Sequence, residues 1–165
     1  MKELLDKLSS YNIFNYLLPG VLFSVLASKM TELELIQKDI VVGVFVYYFV
    51  GLIISRFGSL IIEPLLRKTK FLKFADYKDF IQASAKDGKI EILSEANNMY
   101  RTFIATFLLL GLMKLYFLLA TKWSFLTDWS DWILVILIIG MFLFSYRKQT
   151  NYITKRINSQ KTTNE

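Results

Sequence analysis

Four apolar segments, separated by polar and charged stretches, dominate the pattern along the chain. They cover residues 12–28, 40–54, 102–121 and 132–146, and the helical pattern of the second continues through SRFGSLIIEPLL. Each segment is apolar on all sides of a helix, whereas the buried helices of a soluble bundle keep a polar face. About 20 mostly apolar residues cross the hydrocarbon core, and flanking aromatic or basic residues extend the shorter segments to that length. The pattern predicts an all-α polytopic membrane protein with four transmembrane helices.

Basic residues are distributed unequally between the two ends of these segments. Three lie in the loops after the first and third segments, one lies within the third, and the other sixteen lie at the opposite end. Because cytoplasmic loops of membrane proteins are enriched in lysine and arginine, we expect both termini and the central loop to be cytoplasmic. The tryptophans agree with this orientation, since they cluster on the other side, where an interfacial aromatic belt is expected: Trp123, Trp129 and Trp132.

Composition supports a membrane protein and argues against a nucleic-acid-binding one. The 165 residues suit a single domain, 1–165, and 54% of them are hydrophobic, which is too many for a soluble domain of this size. The net charge of +6 could suggest nucleic acid. However, the positive charge lies where anionic lipid headgroups would be, so membrane lipids are the expected partner and direct nucleic-acid contact is not expected.

Residues that carry common catalytic chemistry are missing from the sequence. There is no cysteine and no histidine, which removes thiolate nucleophiles, zinc–thiolate sites and the commonest general base. We find no glycine-rich phosphate loop, no metal-ligand spacing and no nucleophile elbow. The sequence therefore predicts a protein that is not an enzyme and that has no cofactor, metal or catalytic site.

The largest part outside the apolar segments is the loop 66–100, which we expect to form a cytoplasmic helical segment. It reads as two short helices broken at Asp87-Gly88, the first amphipathic and the second continuing into the third span. The first helix could dock a cytoplasmic partner or lie on the membrane surface. The residues proposed for docking are Lys70, Lys73, Tyr77, Phe80, Lys86 and Lys89. A cytoplasmic tail, 147–165, follows the fourth span.

Charged residues at the cytoplasmic edge of the second and third spans form a candidate polar cluster. Arg56 and Glu63 lie seven residues apart and so share a helix face. Glu95, Asn98 and Arg101 lie at matching depth where the third span begins. We expect these five side chains to form a hydrogen-bonded cluster, because unpaired polar groups within a membrane are costly. Alternatively, each long side chain reaches water separately.

The first span begins with YNIFNYLLPG, whose polar residues and break suggest a joint between helices. Asn12 is expected to cap the helix or bind headgroups, and Asn15, one turn deeper, to form an interhelical hydrogen bond. Pro19 should kink the helix, and Gly20 should let a neighbour approach closely. Further glycines permit close approach elsewhere in the spans, with packing as the expected role: Gly43, Gly51, Gly58, Gly111 and Gly140.

Lys114 lies within the third apolar segment, where a charge is costly. It lies thirteen residues after Arg101, about 20 Å along a helix, and so in the outer half of the bilayer. It could extend outward to Asp39, Asp128 or Asp131. Alternatively, it could line an oligomer axis or a water-filled crevice, where it would favour anions.

The segments KLSSYNIFNYLLPGVLF, GSLIIEPLL and SEANNMYRT give the chain a resemblance to small four-span proteins of bacterial defence loci. It most resembles the membrane subunits of Kiwa anti-phage systems, and the likeness in topology covers most of the chain. The resemblance implies a homo-oligomer in the bacterial inner membrane that recruits a cytoplasmic protein encoded nearby. It also implies that the 66–100 segment and the tail are the contact surface.

Two functions of different classes remain open. The first is an inner-membrane scaffold or sensor that oligomerises, binds a soluble partner and transmits membrane perturbation at infection. The second is a pore-forming effector that depolarises the cell, with Lys114 or Asn15 affecting conductance. A pore acts when it is expressed alone, whereas a scaffold is silent alone and co-purifies with the product of a neighbouring gene.

Overall fold

The computed structural model describes residues 12–161, and within that range the chain forms helices and no strand. Four helices are long and apolar enough to cross a membrane, which confirms the predicted all-α fold and indicates a multi-pass membrane protein. The helices are α1 (Ile13–Met30), α2 (Ile40–Lys68), α3 (Tyr77–Lys86), α4 (Lys89–Ala120), α5 (Ser124–Asp128) and α6 (Ser130–Lys161).

Helices α1, α2 and α4 form the packed centre of the bundle. Ile54 and Ile62 of α2 and Ala105 of α4 are buried at their contact. Helix α6 packs mainly on α2, where the rings of Phe49 and Phe142 stack with centroids 6.2 Å apart. The apolar window of α6 contains no buried residue, so most of this helix faces outward from the bundle.

Both prolines of the chain lie two residues after a π turn in a spanning helix. The π turns are Ile13–Leu17 in α1 and Gly58–Ile62 in α2, followed by Pro19 and Pro64. Because proline lacks an N–H and its ring collides with the carbonyl four residues earlier, a regular α-helix does not fit there. A wider turn lets the helix continue through the proline. The interruption expected at Pro19 therefore takes this form, and a second one, not predicted, precedes Pro64.

The polar segment between the second and third spans contains the two helices that the sequence predicts, preceded by a non-helical loop, 69–76. Helix α3 ends before Asp87-Gly88, and α4 then runs from Lys89 to Ala120 without interruption. The Asp87 carboxylate accepts a hydrogen bond of 2.9 Å from the N–H of Lys89, which supports this start. Helix α6 reaches Lys161, so most of the predicted tail continues the fourth spanning helix. Residues 1–11 and 162–165 lie outside the described residues. They include the two N-terminal lysines that contribute to the predicted orientation.

Alternation of the spanning helices brings the polar ends of all four together. Asn15 near the start of α1, Glu63 near the end of α2, Arg101 in α4 and Lys148 in α6 share one end of the bundle. We call this the basic end. Met30 and the loop between α4 and α6 lie at the opposite end.

Candidate functional site

A layer of hydrogen-bonded polar side chains joins α1, α2 and α4 inside the bundle. It consists of Asn15, Ser55 and Thr102, which are respectively 1%, 3% and 0% exposed. The Thr102 hydroxyl donates to Asn15 Oδ1 at 2.8 Å, and Asn15 Nδ2 donates to Ser55 Oγ at 3.3 Å. We call these three residues the polar layer. It links the packed helices by direction-dependent bonds that apolar side chains cannot provide.

Asn15 occupies the position of an interhelical donor and acceptor, but sequence reasoning missed its two partners. Serine and threonine in an apolar helix commonly bond a carbonyl of their own helix, so their presence carries no signal of a contact across helices. Thr102 does both, because its hydroxyl also lies 2.9 Å from the Asn98 carbonyl oxygen. One hydroxyl proton therefore serves acceptors on two helices.

Replacing Thr102 with valine tests the polar layer, because valine keeps the shape and removes the hydroxyl. We expect the free energy of unfolding in mild detergent to fall by about 1 kcal/mol, the size of a hydrogen bond between membrane helices. The matched control is Thr106→Val, since Thr106 is equally buried but donates only to the carbonyl of Thr102 in its own helix. Equal losses in the two variants would contradict an interhelical role.

Backbone contact at two glycines brings α1 and α2 close enough for the polar layer to form. A Cβ on Gly20 would overlap the carbonyl of Tyr47, and a Cβ on Gly51 would overlap the carbonyl of Tyr16. Gly51 lies one turn before Ser55, and Tyr16 is next to Asn15. The glycine crossing (Gly20 and Gly51) thus sets the helix separation that the Asn15–Ser55 hydrogen bond requires. Gly111 and Gly140, by contrast, face open space.

A charged cluster ties α2, α4 and α6 together at the basic end. The guanidinium of Arg101 forms an ion pair with Oε2 of Glu63, and Lys148 Nζ lies 3.2 Å from Oε1 of the same carboxylate. The exposed fraction of the side chain is 19% for Arg101, 12% for Glu63 and 26% for Lys148. We call them the Glu63 triad. One carboxylate accepts from two cations, each on a different helix.

The π turn in α2 explains why Lys148 is held at this point. The N–H of Glu63 donates to the Gly58 carbonyl, five residues back, so it no longer serves Ser59. The next N–H that could serve the Ser59 carbonyl in a π turn belongs to residue 64, which is proline and has none. Lys148 Nζ fills this place, donating to the Ser59 carbonyl at 2.7 Å and to its hydroxyl at 2.8 Å.

Of the predicted cluster, the structure brings Glu63 and Arg101 together but does not join Arg56 or Glu95 to them. Glu95 is exposed and makes no ion pair with the side chains of residues 12–159. It precedes Arg101 by six residues, about 240° around the helix, so the two point to different sides. Arg56 also forms no ion pair with a described carboxylate, although it lies near enough to Lys148 to repel its charge.

Lys148 is the residue of this cluster that sequence reasoning assigned to the tail instead. Its position follows the span by two residues, where lysine ordinarily reaches water. The available signal was Pro64 itself, because a proline inside a helix leaves a carbonyl without a donor, four residues earlier in an α-helix and five residues earlier in a π turn. Such a carbonyl needs a partner from another helix.

Among the described residues no three acidic side chains lie close enough together to hold a metal ion.

Asn12 and Lys114 lie differently from the expectation. Asn12 has helical backbone angles, φ −66° and ψ −35°, and its side chain makes no capping hydrogen bond, so of the two expected roles the cap is not formed and headgroup contact stays a prediction. A capping residue needs an extended backbone. Lys114 Nζ donates to the Met30 carbonyl oxygen at 3.0 Å and bonds none of the three aspartates proposed for it. It therefore caps the C-terminal end of α1, where the helix dipole favours a cation.

The residues proposed for docking separate into two groups. The four lysines are exposed, whereas Tyr77 and Phe80 are half-buried on the side of α3 that faces the bundle. The Tyr77 ring contacts that of Tyr152 in α6, with centroids 5.9 Å apart. The aromatic side chains thus attach α3 to the spanning helices and leave its charged side chains outward. Helix α3 is therefore anchored to the bundle and does not lie apart from it.

Comparison of the chain with family models, with curated proteins and with solved structures finds no match.

Proposed function

We propose that this protein is a membrane scaffold whose basic end recruits a soluble partner. The observation that carries the proposal is the platform formed by the loop 69–76, α3, residues 89–100 of α4 and residues 147–161 of α6. Helix α3 packs on both extensions through its apolar side, and its lysines point away from the bundle. A surface that is anchored on one side and charged on the other suits docking of an acidic protein surface.

The platform is mechanically connected to the spanning helices through α6. Lys148 binds the π turn of α2, and Tyr152, one turn later, contacts Tyr77 of α3. The Lys148 ammonium also lies 5.7 Å from the centre of the Tyr152 ring. A change in the tilt of α6 would therefore shift α3 relative to α2. This connection supports a sensor role in which membrane perturbation alters the docking surface.

Oligomerisation and phage defence belong to the same proposal. The apolar window of α6 has no buried residue, which leaves a long face for lipid or for a second copy. The resemblance to Kiwa membrane subunits connects the scaffold with anti-phage defence in the bacterial inner membrane. The excess of basic residues at this end supports a cytoplasmic platform by the positive-inside rule, and a soluble partner would be reached there.

Co-purification with the product of the adjacent gene tests the recruitment proposal. We expect the wild-type chain to retain that protein, and the triple variant Lys70→Gln, Lys73→Gln, Lys86→Gln to lose most of it, since charge complementarity would be removed. The matched control neutralises three lysines at the opposite end, Lys29, Lys38 and Lys122. Equal retention by both triple variants would contradict docking on the platform.

Membrane potential distinguishes the scaffold from the pore-forming alternative. We expect cells that express the chain alone to keep their potential, measured with a voltage-sensitive dye. The control is co-expression with the neighbouring gene during phage challenge. Depolarisation by the chain alone, abolished by Lys114→Met, would contradict the scaffold and favour the pore.

A further inference from the structure

A cleft at the basic end has more positive than negative charge around it. Its volume is about 300 Å³, and it is lined by Glu63, Pro64, Arg67, Lys148 and Tyr152. Glu63 is the only carboxylate among the lining residues, and its two oxygens already accept from Arg101 and Lys148. The negative charge of the cleft is thus used within the Glu63 triad.

Arg67 is the cation that this carboxylate does not neutralise. It lies one turn after Glu63 on α2, is exposed, and forms no ion pair within residues 12–161. Its guanidinium lies 5.2 Å from the centre of the Phe74 ring, which holds one face of the group and leaves its N–H edge for a ligand. Arg56 adds a further positive charge close to Lys148. The Glu63 carboxylate is already shared by Arg101 and Lys148, so the charges of Arg67 and Arg56 have no described counter-charge.

The cleft lies at the boundary between the apolar and polar surfaces of the bundle. Ile61 and Leu65, on the turns of α2 beside it, are exposed apolar residues that suit contact with lipid chains. Helix α2 ends at Lys68, where the polar loop begins. The cleft is therefore at the depth where phospholipid headgroups meet a spanning protein.

We propose that this cleft binds the phosphate of an anionic phospholipid headgroup, with Arg67 as its main donor. A guanidinium offers parallel N–H groups that match two phosphate oxygens. The phenol of Tyr152 provides a second donor from the opposite wall. The protons of Lys148 are taken by Ser59 and Glu63, so its contribution is positive potential. Basic pockets between spanning helices are a recurrent form of headgroup site.

A headgroup in the cleft would contact α2 through Arg67 and α6 through Tyr152. Since Tyr152 also contacts Tyr77, the lipid would act on α3, which carries Lys86 and directly follows the loop that carries Lys70 and Lys73. The composition of the surrounding leaflet would then affect the position of α3. The lipid site itself does not depend on partner recruitment and can be tested without the partner.

Native mass spectrometry of the full chain tests the site. The protein is released from nanodiscs that contain equal amounts of phosphatidylglycerol and phosphatidylcholine, and the retained lipids are counted. We expect preferential retention of phosphatidylglycerol. Retention should be about five-fold weaker in Arg67→Ala, because the attraction of one basic side chain to the anionic lipid is lost. The matched control is Arg147→Ala, which removes the same charge from an exposed position next to Lys148.

Three outcomes would overturn the proposal. The first is equal retention of the two lipids by the wild-type chain. The second is the same loss in Arg67→Ala and Arg147→Ala, which would show general surface attraction. The third is displacement of the lipid by millimolar inorganic phosphate or glycerol phosphate, which would assign the cleft to a soluble anion. Arg67→Lys separates charge from geometry, and retention below the wild-type level supports two-point binding by the guanidinium. Circular dichroism checks that each variant keeps its helices.

Discussion

Replacing Gly51 with alanine is expected to separate α1 from α2 and to destabilise the bundle strongly. The new Cβ would overlap the backbone of Tyr16, and a backbone cannot move aside as a flexible side chain can. Overpacking costs about 1–3 kcal/mol where side chains adjust, so we expect a loss of at least about 3 kcal/mol. Gly20→Ala should act similarly, because its Cβ would overlap the backbone of Tyr47.

Two measurements report this effect independently. The free energy of unfolding is obtained from denaturation in mixed detergent. The distance between α1 and α2 is followed by crosslinking Tyr16→Cys with Tyr48→Cys, whose native rings are 5.4 Å apart, in a chain that has no other cysteine. Gly111→Ala is the matched control, since nothing lies within 4 Å of its added Cβ. Similar results for Gly51→Ala and Gly111→Ala would contradict the glycine crossing.

The second large effect is expected from Glu63→Ala, which removes the shared carboxylate of the Glu63 triad. Arg101 and Lys148 would then face each other in a half-buried site without a counter-charge. Breaking a buried ion pair costs about 3–5 kcal/mol, and the partial exposure of these side chains points to the lower limit, about 3 kcal/mol. The expected result is a lower thermal stability in detergent together with release of α6 from α2.

The control for Glu63→Ala is Glu95→Ala, which removes the same group from an exposed position on α4 that has no ion pair among the described side chains. Its stability should change by less than about 1 kcal/mol. Lys148→Met distinguishes the two halves of the triad, because it leaves the Arg101 pair intact and removes the donor to the Ser59 carbonyl. Unchanged stability of Glu63→Ala would show that the three side chains are solvated separately.

The glycine crossing and the Glu63 triad hold different pairs of helices. The crossing joins α1 to α2 through the backbone, whereas the triad joins α6 to α2 and α4 through charged side chains. Helices whose backbones are in contact can move little against each other. Charged side chains and a free carbonyl can instead change their hydrogen-bond partners. Helix α6 is therefore the element best suited to move, and it is the helix that contacts α3 through Tyr152.

Local patterns were sufficient for the helices but not for their contacts. The four spans are visible because apolar length is a property of consecutive residues. The break at Asp87-Gly88 is equally local, since a carboxylate followed by glycine ends one helix and begins the next. The two π turns were only partly predicted. Pro19 signalled an interruption, but the same reasoning was not extended to Pro64, although both prolines impose the same constraint.

Partner choice was the part that the sequence could not determine. Asn15 was a clear candidate for a bond between helices, yet Ser55 and Thr102 are indistinguishable from hydroxyl residues that bond their own helix. Arg101 pairs with Glu63, while Glu95 faces away, because the angle around the helix matters as much as depth. Lys148 joins them only because the fourth helix returns beside α2.

Hydropathy and charge alone determined the all-α class, the number of spanning helices and the expectation that the basic loops share one side. These properties depend on transfer of consecutive residues from water to hydrocarbon, which is nearly independent of neighbouring helices. Only the tertiary structure decided that Gly20 and Gly51 form a backbone crossing, that Lys148 serves the Ser59 carbonyl, and that α3 is anchored by its aromatic side. These contacts depend on the rotation of each helix about its axis, which packing sets and the linear pattern does not encode.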